Sequence, residues 1–340
     1  MNGIQQLMRR VDAWQQSHRP VAFVYGVVKK CGDDNAGSLA ALIAYYGFLS
    51  LFPLLLVAIT VLGYVLGGDP GLRQHLINSA LGNFPIIGNQ LKSSVSHPLS
   101  GHPVGLLFGL LGLIWGSMGV TQAAQYAMDE VWHIPSADRP NFVSRLLRGL
   151  AFLGILGLSA VVTTALSSLG SFGNIPGAAA VGGPLLAAVA NVGLYLLAFR
   201  VLTPASVSTR DLLPGAVIGG IGWEILQLAG GYLVGHQLKH SSQVYGMFGV
   251  VLGLIGWIYL GAQLAIYAAE VNVVRSRRLW PRTIVQPPLT EADRQVYAGR
   301  AEARQQRPEE TVNVDFDERA GLDLRDGAPE RRQGQRAPTR

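Results

Sequence analysis

Charge is the scarcest resource in this chain. Asp, Glu, Lys and Arg make up 14% of its 340 residues, against ~25% in an ordinary soluble domain. The charges collect before Ser38, between long apolar runs and after Val274, which is membrane-protein patterning and excludes a large soluble core. There is one cysteine, Cys31, so no intramolecular disulfide can form, and a reduced thiol on the cytoplasmic side is expected. Enzyme signatures are missing too. No Gly-x-x-x-x-Gly-Lys-Ser/Thr loop is present to drive an ATP-fuelled pump, and neither is a His-Glu-x-x-His pair or a Gly-x-Ser-x-Gly elbow. His236 and His240 are four apart but lack a Cys or acidic partner, so no metal, cofactor or catalytic residue is expected. Residues before Ser38 lack a short apolar core with a small-residue cleavage site, so the first spanning helix is expected to direct insertion.

What is present is a series of apolar runs, each long enough to cross a bilayer, which takes ~20 residues. They predict six spanning helices at about 38–66, 104–127, 147–169, 179–202, 212–234 and 244–273. Lys and Arg accumulate at alternate ends. Arg9, Arg10, Arg19, Lys29 and Lys30 precede the first run. Arg139, Arg145 and Arg148 lie between the second and third, Arg200 and Arg210 between the fourth and fifth, and Arg275, Arg277, Arg278 and Arg282 after the last. The positive-inside rule then places both termini in the cytoplasm. The net charge of +6 follows from the same rule and implies no nucleic-acid partner.

The fold class expected is all-α and integral to the membrane: a six-transmembrane-helix bundle with amphipathic interfacial helices and a disordered C-terminal tail. Residues 1–37 form a cytoplasmic amphipathic segment, in which Ile4, Leu7, Met8, Val11 and Trp14 share one helical face beside Arg9 and Arg10. Such a helix suits the anionic inner leaflet. Residues 38–275 hold the bundle, with an amphipathic outer connection at 68–103. Residues 284–340 are rich in Glu, Arg, Gln, Asp, Gly and Pro and are expected to be a disordered cytoplasmic tail.

The candidate site is a set of polar residues inside apolar runs. Glu224 sits near the middle of the fifth, where a carboxylate costs roughly 2.5–3.5 kcal/mol on insertion scales. Such a group must face protein or water. Gln227 shares its face, and Asn191 lies near mid-depth of the fourth run. Tyr259, Gln263, Tyr267 and Glu270 form a stripe on the sixth, and Gln122 and Gln125 share a face of the second. On the first, Tyr45, Tyr46 and Ser50 precede Pro53, which cannot donate to Leu49 O and should loosen the helix. Glu270, Asn272 and Arg275 are expected to form a helix-end or inter-helix ion pair. Gly63, Gly67, Gly105, Gly109, Gly112, Gly219, Gly220, Gly222, Gly230 and Gly231 permit close helix contact, within the bundle or in a homo-oligomer.

The run Ala44-Tyr45-Tyr46-Gly47-Phe48-Leu49-Ser50-Leu51-Phe52-Pro53 resembles the first-helix signature of the YihY/BrkB family of membrane proteins. Trp115-Gly116-Ser117-Met118-Gly119 with Trp132 is similar to its second helix. Pro214-Gly215-Ala216, Trp223, Tyr245-Gly246 and Ala269-Glu270-Val271-Asn272 are similar to its C-terminal half. The YhjD branch is the nearest match, through Val27-Val28-Lys29-Lys30, Asp34-Asn35 and Leu39-Ala40-Ala41. The resemblance covers roughly Val21 to Arg278. It implies a multi-pass protein of the bacterial inner membrane and a carrier of lipids or other amphiphilic or small solutes. Glu224, Gln227, Asn191, Tyr259, Gln263, Gln122, Gln125 and the Tyr45–Pro53 segment would then line the path, with membrane lipids as partners. The alternatives are a scaffold that organises envelope partners and, further off, a membrane ribonuclease, a label the family once carried.

Overall fold

A computed structural model of the chain describes residues 3–65, 103–172, 178–203, 207–236 and 238–317. The outer connection expected at 68–103 lies almost wholly outside them, as does the last part of the expected tail, 318–340. Among the described residues there are nine α-helices and no strand: α1 Gly3–Ser17, α2 Arg19–Asp33, α3 Ala36–Val65, α4 Pro103–Val131, α5 Phe142–Phe172, α6 Ala178–Leu202, α7 Thr209–His236, α8 Leu238–Arg277 and α9 Glu291–Glu302. A 3₁₀ turn, Ser136–Asp138, follows α4. Among the described residues, five stretches are long and apolar enough to cross a membrane: Ala36–Pro53, Phe142–Ser159, Leu185–Leu202, Thr209–Gly230 and Val251–Arg277. The remaining expected span, 104–127, the second along the chain, is helical within α4 but is not one of the five.

The chain divides into two compact units. One comprises residues 35–129 and 140–269. Its long helices close into a ring. Positions 116 and 119 of α4 lie against Ser50 and Tyr46 of α3, and Gly149 of α5 against Thr121 of α4. Helix α6 packs on α5 and on α7. Leu264 of α8 meets Gly222 of α7, and α8 returns to α3 where Tyr259 meets Gly37. Large apolar side chains point outward all round, as in Leu228, 75% exposed, and Trp115, 70% exposed. An apolar exterior of that extent is unstable in water and natural in lipid.

The α6–α7 crossing depends on one missing side chain. A β-carbon on Gly220 would lie 2.6 Å from the Val192 backbone nitrogen. In lipid the helices associate through such packing, because no hydrophobic drive holds them together. Gly220→Ala is therefore expected to cost roughly 1–3 kcal/mol by overpacking, read as a lower melting temperature in detergent. An unchanged melting temperature would show that the backbones have room to separate.

The second unit comprises residues 1–34, 130–139 and 270–340. It overturns the expectation of a disordered tail from residue 284. Helix α9 begins with a capping box: the Thr290 hydroxyl accepts from Asp293 N, while the Asp293 carboxylate accepts from Thr290 N. Ala292, Asp293 and Val296 are buried. The tail reading failed because this segment is organised around a buried polar centre, and apolar spacing carries no trace of that. Asp293 accepts from Lys29 Nζ at 2.8 Å, Arg282 Nε at 2.8 Å, Thr283 N at 3.0 Å and Thr283 Oγ1 at 2.8 Å. Arg282 also pairs with Asp33 at 2.7 Å, and Asp12 Oδ1 accepts from Ile284 N at 3.0 Å.

Candidate functional site

Asn191 Nδ2 donates to Glu224 Oε1 at 2.5 Å. The contact joins two candidate spans, Leu185–Leu202 and Thr209–Gly230. Asn191 is 6% exposed, and Glu224 is half-buried. The pairing grows from the glycines one turn away: Gly219 lies against Tyr195 and Gly220 against Val192, so α6 and α7 approach closely enough for a short amide to reach a carboxylate. The result is a carboxyl group with one oxygen held by a neutral donor in an apolar span. Such a group can take a proton, a cation or a polar head.

The other polar residues do not converge on Glu224. Gln227 is exposed. Gln263 Nε2 donates to Tyr267 Oη at 2.8 Å along α8, and the Tyr259 hydroxyl lies 3.3 Å from where a β-carbon on Gly37 would stand. Ser50 Oγ donates to Gly47 O of its own helix at 2.7 Å. Tyr45 and Tyr46 meet edge to face, 5.3 Å between centroids. Helix α3 continues through Pro53, whose ring lies against position 112. Gln125 Nε2 donates to Arg145 O at 2.9 Å. Gln122 lines a separate cavity of about 190 Å³ with Met118, Thr121, Pro140, Phe142, Arg145 and Leu146. That volume is below the ~300–1,000 Å³ usual for ligand pockets, and suits a small polar group better than a lipid.

Sequence reasoning missed a second cluster, in the other unit. Lys30 is fully buried. Its ammonium donates to Glu270 Oε2 at 2.8 Å, Asp34 Oδ2 at 2.5 Å and Val131 O at 2.8 Å. His133 Nε2 lies 3.0 Å from Asp34 Oδ1, and Arg300 Nε approaches the same oxygen at 3.7 Å. Asn272 is buried, whereas Arg275 is exposed. Of the two expected arrangements Glu270 takes the inter-helix one, with Lys30 of α2 as its partner, and not a pair with Arg275 at its own helix end. Three chain segments are tied at one point: the end of α2, the turn after α4 and the end of α8.

Electrostatics fixes the protonation of this cluster. Burial alone would depress the Lys30 ammonium, but Glu270 and Asp34 beside it more than offset that and raise its pKa above the ordinary value. Burial works against the Asp34 carboxylate, yet the His133 hydrogen bond and Lys30 bring its pKa down to about 2. Burial pushes the His133 imidazole below its ordinary pKa, against the pull of Asp34 and with the help of Lys30 and Arg277. At neutral pH His133 is therefore neutral, with its proton on Nε2 toward Asp34. Burial, aided by Glu270, pushes the Cys31 thiol up to about 12, which leaves it protonated and unreactive. Among the described residues no His, Cys, Asp and Glu group has the arrangement to hold a metal ion.

The model of a known family, virulence factor BrkB, matches residues 27–290 of this chain. The chain belongs to the BrkB family. With its several candidate spans it is a multi-pass membrane protein. The match contains the Asn191–Glu224 pair and Lys30, Asp34, His133 and Glu270 of the second cluster, and ends one residue before α9 begins. This BrkB-family chain is 25% identical to the inner membrane protein YhjD of Escherichia coli K12, over 73% of its own length and 79% of that protein. It is 27% identical to a protein of Dickeya dadantii over 76% and 85% of the two chains. A third relative is the ribonuclease-like protein YfkH of Bacillus subtilis, at 26% identity over 71% and 90%. No solved structure matches.

Proposed function

We propose that this BrkB-family protein is a carrier in the bacterial inner membrane. It moves a lipid or another amphiphilic or small polar solute, with Glu224 as the charged group of the path. The Asn191–Glu224 contact carries the reading. Interhelical hydrogen bonds in membranes average only ~0.6 kcal/mol, so holding α6 to α7 is a weak reason to retain a carboxylate whose insertion costs several times more. Asn191 holds one oxygen and leaves the half-buried carboxylate able to engage a proton, a cation or a head group. The two termini lie in the cytoplasm in this reading, because the unit that contains them carries Arg9, Arg10, Arg19, Lys29, Arg139, Arg275 and Arg278. No catalytic step, metal or cofactor is assigned.

The test is translocation in proteoliposomes, using fluorescent phospholipid analogues first and small amphiphilic cations second. Glu224→Gln keeps the shape and the Asn191 contact but not the charge. Glu224→Ala removes both. Both variants are expected to lose at least about tenfold in rate, which is ~1.4 kcal/mol. Rates equal to that of the parent in both variants would remove Glu224 from the mechanism.

A further inference from the structure

Helix α1 is docked with its polar side inward. Asp12 and Gln15 are buried, while Leu7, Val11 and Trp14, spaced four and three residues apart on one stripe, are 63%, 47% and 54% exposed. The inward side is held by specific contacts: Asp12 Oδ1 accepts from Ile284 N at 3.0 Å and from Gln16 Nε2 at 2.9 Å. Helix α2 repeats the inversion. Its buried side holds Ala22, Gly26 and Lys30, and Val24 and Val28 are 60% and 62% exposed. A water-facing helical pair would bury its valines, leucines and tryptophan and expose its lysine and aspartate. This pair does the reverse, so its outward stripe faces a medium less polar than the interior of its own unit.

Charge selects that medium. Arg10 is exposed on the flank of the α1 stripe, and Arg19 is exposed at the start of α2. The one acid of α1 is Asp12, which is turned inward, so the outward side of the helix carries positive charge alone. Apolar side chains flanked by guanidinium groups match the boundary of an anionic lipid leaflet, where the rings and branched chains enter the acyl edge and the arginines stay at the phosphates. We propose that the Leu7–Val11–Trp14 stripe of α1 is an anionic-lipid docking surface. It is anchored from behind by Asp12 and independent of any transport through the bundle.

The experiment places spin labels on the full-length protein in vesicles, with Cys31→Ser removing the native thiol. Labels go at Val11→Cys on the stripe and at Ala13→Cys, an exposed position on the side away from it. Vesicles are pure phosphatidylcholine or a mixture with phosphatidylglycerol. Collision with oxygen, which concentrates in lipid, is compared with collision with a water-soluble nickel chelate. At position 11 the oxygen-to-nickel ratio is expected to be several-fold higher than at position 13. It is expected to rise further with phosphatidylglycerol, and Arg10→Gln with Arg19→Gln should abolish that rise. Equal ratios at the two positions overturn the proposal. So does a ratio at position 11 indifferent to lipid charge, and so does spin–spin broadening at position 11, which would give the face to a second copy of the chain. Labelling only exposed positions leaves the Asp12 anchor intact, and the signal at position 13 checks that the helix is folded.

Discussion

Lys30→Met is expected to raise the reactivity of Cys31 toward a maleimide by roughly 10²–10³-fold at neutral pH. The side chain of Lys30 is entirely buried, and its ammonium answers Glu270, Asp34 and the Val131 carbonyl at once. Methionine fills much the same space but takes the cation from between two buried carboxylates, leaving Asp34 only Arg300 at 3.7 Å. Removing one partner of a buried pair costs about 3–5 kcal/mol, because the surviving charge stays buried and unpaired. Cys31 is the next residue, is itself buried and is protonated in the folded state. It reacts only when this part of the unit opens, so its rate reports the open fraction. Glu270→Gln should do less harm, since Lys30 keeps Asp34 and Val131 O. Combining it with Lys30→Met should recover part of the loss by removing one stranded carboxylate. If Cys31 in Lys30→Met reacted at the parent's rate, the cluster would contribute nothing to holding the three segments together.

This cluster marks the limit of what the sequence could disclose. The long helices were legible because lipid demands long apolar runs. Their ends were less so: the run at 244–273 belongs to a helix from Leu238 to Arg277, since polar residues at a membrane boundary extend a helix without extending its apolar signal. Asn191 and Glu224 could be set at similar depth from their places in two runs, and the structure adds the glycine-lined crossing that brings them into contact. Lys30 and Glu270 are 240 positions apart, and hydrophobic periodicity says nothing about which buried cation meets which buried anion. Residues 284–303 failed for a related reason. Their order comes from Asp293 and its donors, not from a stripe of large apolar residues. Helix α1 was legible as amphipathic, but only the structure shows that the side turned inward is the polar one.

The unit that holds Lys30 is expected to lose stability in acid, in two separable windows. Asp34 has a folded pKa near 2 against an ordinary 3.8, and the Asp293 carboxyl is held below its ordinary range because its six hydrogen bonds, from Lys29, Arg282, Thr283 and Thr290, outweigh burial. For a carboxylate depressed by folding, the stabilisation is complete above the unfolded pKa and disappears as pH falls through the folded one. Asp34 alone then accounts for about 2 kcal/mol, lost between roughly pH 4 and 2. His133 acts at higher pH and in the same sense. Its imidazole is held below its ordinary pKa of 6.5, so as pH falls past that value the unfolded chain takes up a proton that the folded one refuses. Stability contributed by a neutral His133 is therefore full above pH 6.5 and declines below it. His133→Gln keeps a donor for Asp34 but cannot titrate. Comparing the two proteins cancels every other group, including Glu270 and Arg300 around the same oxygens. The melting temperature of the parent relative to His133→Gln is expected to fall as the pH goes from about 7 to about 5. If the parent instead gained on the variant over that range, His133 would be protonated in the folded state, and the cluster would hold a cationic imidazolium between Asp34 and Lys30.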